Sequence, residues 1–213
     1  YALPEQAAQQ SYYFIEGYEI SFMIVFIVLV ILLILYIVYE NHTRNKELLK
    51  YAQTDALTGL YNKETTEQLT DELLSEDENK YHAFLILDVD CFKQINDIYG
   101  HAVGDIVLQK FGKLLKGTFR EGDILGRIGG DEFGVIMKNI QTKDIAMKKA
   151  EELLAKTQAY KIDELKGNNI SISIGISTAP QDGDCYMDLY KRADQALYQA
   201  KRSGKARVCN YFS

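Results

Sequence analysis

Proline and cysteine are both scarce in this chain, and each shortage narrows the class of protein. Two prolines among 213 residues, with 47% apolar and 25% charged residues, exclude a disordered, collagen-like or low-complexity chain. The three cysteines, Cys91, Cys185 and Cys209, are too few and too scattered for a disulfide framework or a zinc site. Because their number is odd and no CxxC spacing occurs, we expect free thiols in a reducing compartment.

An excess of basic residues is also lacking. The chain carries 24 Lys and Arg against 30 Asp and Glu, a formal net charge of −6. Proteins that bind duplex nucleic acid do so through a positive field, which this composition does not provide. We therefore expect no nucleic-acid partner.

One long apolar run stands out from this mixed composition. Residues 20–39 read ISFMIVFIVLVILLILYIVY and contain no charge. A helix of this length covers roughly 30 Å, the thickness of a hydrocarbon core. A cleaved signal peptide does not fit, because Glu16 and Glu19 precede the run, the run is too long and no small-residue cleavage site follows. We predict one transmembrane helix over 20–39, surrounded by membrane lipid.

The flanking charges predict the orientation of this helix. Acids precede it, and basic residues follow it within a dozen positions: Glu5, Glu16 and Glu19, then Arg44, Lys46 and Lys50. The positive-inside rule then places the C-terminal side in the cytoplasm and residues 1–19 outside it. Because the sequence begins at Tyr1, one hypothesis is that residues 1–19 end a sensor domain that lies before it.

Residues 40–54 connect the membrane segment to the rest of the chain. They are polar, contain no Gly or Pro, and predict a helical linker with Leu48 and Tyr51 on a short seam. The stretch is too short to establish a coiled coil, so a solvated connector is an equally good interpretation.

Residues 55–213 alternate between helix-like and strand-like patterns, which predicts one α+β domain with helices packed on a sheet. The run AFLILDVD is continuously apolar before its acids, as is typical of a strand buried on both faces. The predicted strands are 83–90, 124–128, 133–137, 169–179 and 207–212, and the predicted helices are 63–75, 103–115, 143–159 and 187–202.

Two acidic clusters carry the first chemical signal. Asp88 and Asp90 end the buried strand and share one face, while Val89 points into the core. Asp131 and Glu132 lie at a predicted hairpin tip, after two glycines that allow positive φ and close approach to a ligand. If the hairpin lies beside the strand, Asp88 and Asp131 form an oxygen-rich site suited to Mg²⁺ and phosphate. Either cluster alone is equally typical of acids that cap turns.

The segment after the first cluster adds groups suited to a nucleotide. Residues 92–105 supply an amide, acids and a lysine ahead of a helix, and an amide paired with a carboxylate can bind the edge of guanine. Lys201 and Lys205 can neutralise phosphates as point charges. By composition alone both lysines are equally well explained as solvated surface residues.

Five blocks together resemble one family. They are DALTGLYN (55–62), LDVDCFKQINDIYGHAVGD (87–105), RIGGDEFGVIM (127–137), SISIGIS (171–177) and KRADQALYQAKRSGK (191–205). In this order and spacing they are similar to the GGDEF-domain diguanylate cyclases. The resemblance implies a palm-like fold, close to nucleotidyl cyclases, with a central antiparallel sheet flanked by helices. It also implies condensation of two GTP into cyclic di-GMP and two pyrophosphates.

The resemblance also implies roles for individual residues. Mg²⁺, with Mn²⁺ as the alternative ion, is expected on Asp88, Asp131, Glu132 and the Val89 carbonyl, and either Asp131 or Glu132 is the general base. Guanine is expected to contact Asn96 and Asp105. The phosphates are expected to contact Phe92, Lys93, Lys201 and Lys205. Gly129 and Gly130 are expected to let the backbone approach the nucleotide closely. Lys63 and Lys205 stand where the family usually has Arg, and Lys lacks the bidentate fork.

The resemblance further implies a homodimer and a regulatory site. One domain holds one GTP, so the attacking 3′-oxygen comes from a nucleotide on a second chain. Arg120 and Asp123 match the family's RxxD site for inhibition by the product cyclic di-GMP. The expected location is a bacterial inner membrane, crossed once, with the C-terminal domain cytoplasmic. The alternatives are a catalytically weak cyclic di-GMP receptor and a cyclase with relaxed base choice.

Overall fold

The computed structural model describes the backbone of residues 3–76 and 80–211, and the side chains of 21–44, 52–76 and 80–211. The chain divides into two compact units, Tyr1–Lys50 and Tyr51–Ser213.

The first unit is helical. Helix α1, Leu3–Gln53, contains the predicted membrane span, begins well before it and continues through most of the predicted linker. Within α1, Ser21–Arg44 is long and apolar enough to cross a membrane, and its apolar side chains are exposed. The side chains of Leu48 and Tyr51, on which the predicted seam rests, lie outside the described residues.

The second unit has the predicted α+β composition, with two additions. The residues after the first acidic cluster form a separate helix, and a single 3₁₀ turn, Asp163–Leu165, follows the long fourth helix of this unit. The elements are α2 Lys63–Glu76, β1 His82–Val89, α3 Phe92–Tyr99, α4 His101–Thr118, β2 Ile124–Arg127, β3 Glu132–Met137, α5 Lys143–Ala159, β4 Ile172–Ala179, α6 Tyr186–Arg202 and β5 Val208–Asn210.

The five strands form one sheet in the order β2-β3-β1-β4-β5, with β1 at its centre. The predicted antiparallel arrangement is confirmed for β1, β2, β3 and β4. The short edge strand β5 pairs with β4 in parallel, so the sheet is mixed. Every residue of β1 is buried, as its continuous apolar run predicted.

Alternate residues of β1 support two cores on opposite faces of the sheet. Leu85 and Leu87 pack in the core that contains Phe111 of α4 and Phe133 of β3, whose rings meet edge to face at 4.9 Å. Phe84 and Ile86 point the other way, into the core under α2 and α6. This alternation sends the next residues on the second face, Asp88 and Asp90, to the side of the sheet that α6 covers.

Helix α6 lies so close to β4 that the contact requires a glycine at position 175. A Cβ there would overlap the backbone of Ala193 and Leu197 and would lie 2.9 Å from the Leu197 Cα. Backbone atoms cannot rotate away as a flexible side chain can, so the helix itself would have to move.

We expect Gly175→Ala to lower the free energy of unfolding by about 1–3 kcal/mol, because the added methyl group pushes α6 away from the sheet. Gly117→Ala is the matched control, since Gly117 is exposed on α4 and nothing lies within 4 Å of its added Cβ. That control should be neutral or stabilise the protein by about 0.5–1 kcal/mol. Thermal unfolding followed by circular dichroism measures both, and equal stability of the two variants would contradict this packing.

Candidate active site

The end of β1 brings the two predicted acidic clusters together. Asp88 pairs across the sheet with Glu132 of β3 on one side and Ser173 of β4 on the other. The next residue, Val89, donates its backbone N–H to the Asp131 carbonyl at 3.2 Å. Asp88, Asp131 and Glu132 therefore adjoin one another at one end of the sheet, although Asp131 and Glu132 lie 43 and 44 positions after Asp88 in the sequence.

Burial and the neighbouring charged groups at this end of the sheet shift the pKa of Asp88. Burial raises the pKa of the Asp88 carboxyl, and the charges of Asp131 and Glu132 raise it further. Lys201 acts in the opposite direction, with its Nζ 2.7 Å from Asp88 Oδ2. The net pKa of Asp88 lies above its ordinary value of 3.8. The site is a partly desolvated acidic cluster with one lysine inserted in it.

Asp90 lies on the same face as Asp88 but has a different role. Its carboxylate accepts hydrogen bonds from the hydroxyls of Ser171 and Ser173, at 2.8 and 2.7 Å, and from the Ala206 N–H at 3.1 Å. Both of its oxygens therefore join β1 to β4 and to the turn after α6. Asp90 shapes the site, and its acceptors face the protein.

The hairpin tip between β2 and β3 corrects one expectation about its glycines. Neither Gly129 nor Gly130 has a positive φ. A Cβ on Gly129 would lie 2.8 Å from Glu132 Oε2, so the flexible end of the Glu132 side chain would have to shift to admit it. Nothing lies within 4 Å of a Cβ on Gly130, so the tip is open on that side. The Glu132 carbonyl closes the turn by accepting the N–H groups of Ile128 and Gly129.

An arginine that sequence reasoning missed holds this tip in place. Arg127 donates from Nε and Nη2 to the Gly130 carbonyl, at 3.1 and 2.7 Å. Its Nη1 binds both oxygens of Asp55, at 3.2 and 3.1 Å. Asp55 also accepts the N–H and hydroxyl of Thr58. The signal was present in the sequence, since Asp55 opens the first resembling block and Arg127 opens the third.

The predicted guanine pair lies on two successive helices. Asn96 is on α3, and Asp105 is exposed on α4. The Asn96 Oδ1 is buried and has no hydrogen-bond partner among the described residues. Gly104, which sequence reasoning did not single out, makes room for this amide, because a side chain at 104 would overlap Asn96 Oδ1. An unpaired buried acceptor is costly, which is typical of a group that serves a ligand.

The predicted phosphate contacts do not all gather at the acidic cluster. Lys201 is paired with Asp88, as described above. Lys205 donates to the Cys91 thiol at 3.1 Å. Lys93 is exposed in the first turn of α3, and Phe92 beside it packs partly against the core. Phe92 and Lys93 therefore lie close to the end of β1 in the sequence, because α3 begins shortly after that strand.

Arg120 and Asp123 occupy the turn between α4 and β2 and differ sharply in exposure. The Arg120 side chain is 59% exposed, whereas that of Asp123 is 3% exposed. Asp123 accepts hydrogen bonds from Arg120 Nε at 3.0 Å and from the Lys138 N–H at 3.1 Å. Arg120 also donates to the Lys138 carbonyl. The Asp123 carboxylate thus faces inward and holds the turn, and Arg120 is the accessible member of the pair.

The donor set at the end of β1 suits a hard divalent cation. Carboxylates and a backbone carbonyl are the ligands that Mg²⁺ and Mn²⁺ prefer. In the described side chains, one trio has ligand atoms all within 4.8 Å of one another, namely Asp184, Cys185 and Asp188. That trio lies at the other end of α6 from Lys201 and contains a thiol, which suits Mg²⁺ poorly.

Comparison with known proteins identifies the family. The family described as "Diguanylate cyclase, GGDEF domain" matches residues 52–207, and the chain belongs to it. Diguanylate cyclase A of Treponema denticola is 37% identical over 170 residues, 77% of this chain and 46% of that protein. The response regulator PleD of Caulobacter vibrioides is 37% identical over 177 residues, 80% of this chain and 39% of that protein. The chain thus spans less than half the length of either relative.

A solved structure supports the same fold. The coiled coil and GGDEF domain of DgcB from Caulobacter crescentus, in complex with c-di-GMP, align with a TM-score of 0.75 and 26% identity. The alignment covers 81% of this chain and 93% of that one. The predicted GGDEF fold, with a palm-like sheet flanked by helices and an apolar N-terminal helix, is confirmed.

Replacing Asp55 by Asn should lower the free energy of unfolding by about 1–3 kcal/mol at neutral pH, because Arg127 loses its charged partner. Burial raises the pKa of Asp55, but the hydrogen bonds from Thr58 and the charge of Arg127 outweigh burial and bring it below 3.8. A lowered pKa in the folded state stabilises above the unfolded pKa, and that stabilisation is lost as pH falls through the folded pKa.

The loss of unfolding free energy in Asp55→Asn should therefore be largest near neutral pH and become smaller below about pH 4. Thermal unfolding at about pH 7 and about pH 3 measures it, with the exposed Asp97→Asn as the control. A deficit of equal size at both pH values would show that the Asp55 charge is not what holds Arg127.

Proposed function

We propose that this chain is a diguanylate cyclase that condenses two GTP into cyclic di-GMP and two pyrophosphates. The proposal depends chiefly on the juxtaposition of Asp88 with Asp131 and Glu132 in a chain of the GGDEF family. Family members named as diguanylate cyclases support it. The acids of the site are all present, which does not favour a receptor without turnover.

In this proposal the acidic cluster binds Mg²⁺ or Mn²⁺. The residues that would hold the ion are Asp88, Asp131, Glu132 and the Val89 carbonyl. The bound ion supplies charge neutralisation of the triphosphate and a lower pKa for the attacking 3′-hydroxyl. Burial of Asp88 strengthens this site, because a desolvated carboxylate attracts a cation more strongly than one in water.

The guanine base is assigned to Asn96 and Asp105. Guanine presents N1–H and exocyclic N–H donors, which suit the unpaired Asn96 Oδ1 and the Asp105 carboxylate. Adenine presents an acceptor at N1, which a carboxylate without a proton does not bind. This chemistry favours GTP over ATP and disfavours relaxed base choice.

The triphosphate is assigned to the space between the hairpin tip and the first turn of α3. Gly129 and Gly130 line that space from the tip, and the open side of Gly130 admits a ligand without a clash. Phe92 and Lys93 lie at the first turn of α3, and Lys201 and Lys205 supply positive charge.

Condensation requires two chains. One domain holds one GTP, so its 3′-oxygen attacks the α-phosphorus of a GTP on the partner chain, in line with the departing pyrophosphate. Either Asp131 or Glu132 accepts the proton of that hydroxyl. The DgcB structure pairs a GGDEF domain with a coiled coil, and we assign dimerisation in this chain to residues 40–54 together with the domain itself.

The membrane helix and the turn at Arg120 complete the proposal. Ser21–Arg44 crosses a bacterial inner membrane once, and residues 55–213 lie in the cytoplasm. Cyclic di-GMP inhibits the enzyme by binding Arg120, whose guanidinium suits a phosphate or a guanine edge. Asp123 acts through Arg120, because its own carboxylate is buried.

Asp131→Asn should reduce cyclic di-GMP formation at least about a hundredfold, because the site loses a charge that stabilises the transition state. Its thermal stability should be unchanged or higher, since the variant removes a like charge beside buried Asp88. Chromatography of the products from GTP and Mg²⁺ with the dimeric 213-residue chain measures turnover, and the exposed Asp144→Asn is the control. Near-normal product from Asp131→Asn, or none from the unmodified dimer, would contradict the proposal.

Arg120→Ala should raise the concentration of cyclic di-GMP needed for half-inhibition by about tenfold or more, because a charge-assisted contact is lost. Initial rates at increasing product concentration measure this, with the exposed Lys148→Ala as the charge-matched control. Superimposable inhibition curves for Arg120→Ala and the unmodified chain would show that Arg120 does not bind the inhibitory product.

A further inference from the structure

Lys201 makes an ion pair that the roles assigned so far do not explain. Expected to contact phosphate, it lies instead against the acidic cluster, with its Nζ 2.7 Å from Asp88 Oδ2. The Asp88 side chain is 9% exposed and that of Lys201 is 35% exposed. The ammonium therefore approaches the carboxylate from the solvent side, from the last turn of α6.

The surroundings of Asp88 explain why this contact forms. A desolvated carboxylate with two like charges nearby needs a positive partner. Among the described residues, Lys201 is the only salt-bridge partner of Asp88. Lys205, the next lysine along the chain, contacts Cys91 instead.

A divalent cation and the ammonium cannot share Asp88 Oδ2 without strong repulsion. Both are positive, and in this half-buried site their charges are poorly screened. The Lys201 ammonium can move away from the Asp88 carboxylate, because a lysine carries its compact charge on a flexible four-carbon stem that reaches other acceptors. A triphosphate beside the cluster offers such acceptors.

We propose that Lys201 is an internal competitor for the divalent cation at Asp88, and that it exchanges this carboxylate for a phosphate oxygen when nucleotide binds. The inference rests on the function proposed above and adds a regulatory property to it. Metal alone binds weakly because it must displace Lys201, whereas metal and nucleotide bind together because the nucleotide takes up the displaced ammonium. Linkage then requires that each ligand strengthens the binding of the other.

The test is Mn²⁺ binding without nucleotide, measured from the free-ion electron paramagnetic resonance signal with the full chain in nanodiscs of uncharged lipid. Lys201→Met should bind Mn²⁺ about tenfold or more tightly than the unmodified chain, because the competitor is gone. Lys205→Met is the control, since it removes a nearby positive charge that does not contact Asp88. It should change the affinity by less than about threefold.

Lys201→Arg guards against a folding defect in Lys201→Met, because it keeps the charge and pairs well with a carboxylate. It should bind Mn²⁺ no more tightly than the unmodified chain. Tighter binding by Lys201→Arg, an unchanged or weaker affinity in Lys201→Met, or an equal gain in Lys205→Met would each overturn the inference.

These outcomes are separable from failure of the proposed function. If the unmodified chain makes cyclic di-GMP while Lys201→Met gains no affinity for Mn²⁺, the proposal that Lys201 competes with the metal is wrong and the proposed cyclase activity is unaffected. If the unmodified chain makes no cyclic di-GMP and none of the proteins binds Mn²⁺, the proposed function fails and this inference fails with it.

Discussion

A carboxylate at the end of a strand buried on both faces is the constraint on which the rest of the site depends. Strand β1 takes Asp88 out of water, and the sheet then sets Glu132 directly beside it. Such a concentration of negative charge is unfavourable without a cation, and Lys201 supplies one. In the proposed function the same negative charge attracts a divalent cation, and the cation in turn attracts the triphosphate.

The structures around this cluster keep it rigid. Arg127 holds the hairpin tip through the Gly130 carbonyl and ties it to Asp55, two residues after the end of α1. Asp90 holds the end of β1 on the side of β4, where its carboxylate accepts the hydroxyls of Ser171 and Ser173. The hydrogen bonds of Arg127 to Asp55 and to the Gly130 carbonyl therefore join the start of the domain to the hairpin tip.

The sequence predicted the elements that have strong periodicity and the residues that carry the family motifs. The apolar run of β1 predicted a buried strand, whereas the juxtaposition of Asp88 with the hairpin depended on the hairpin lying beside that strand. The sequence did not reveal which polar groups satisfy one another. Helix α3 was missed because its residues were interpreted as nucleotide-binding groups ahead of a helix. The burial of Asp123 within its own turn could not be predicted from the sequence either. Gly129 lies close beside the Glu132 side chain and does not have the positive φ that its place in the hairpin suggested. Such pairings depend on tertiary contacts, which local pattern does not encode.

The most direct measurement is the position of Mn²⁺ in crystals grown with the ion and a non-hydrolysable GTP analogue, located by its anomalous scattering. We predict a peak about 2.0–2.3 Å from an Asp88 oxygen and from a carboxylate oxygen of Asp131 or Glu132, with Lys201 Nζ bound to a phosphate oxygen. A peak confined to Asp184, Cys185 and Asp188, with Lys201 still paired to Asp88, would contradict it.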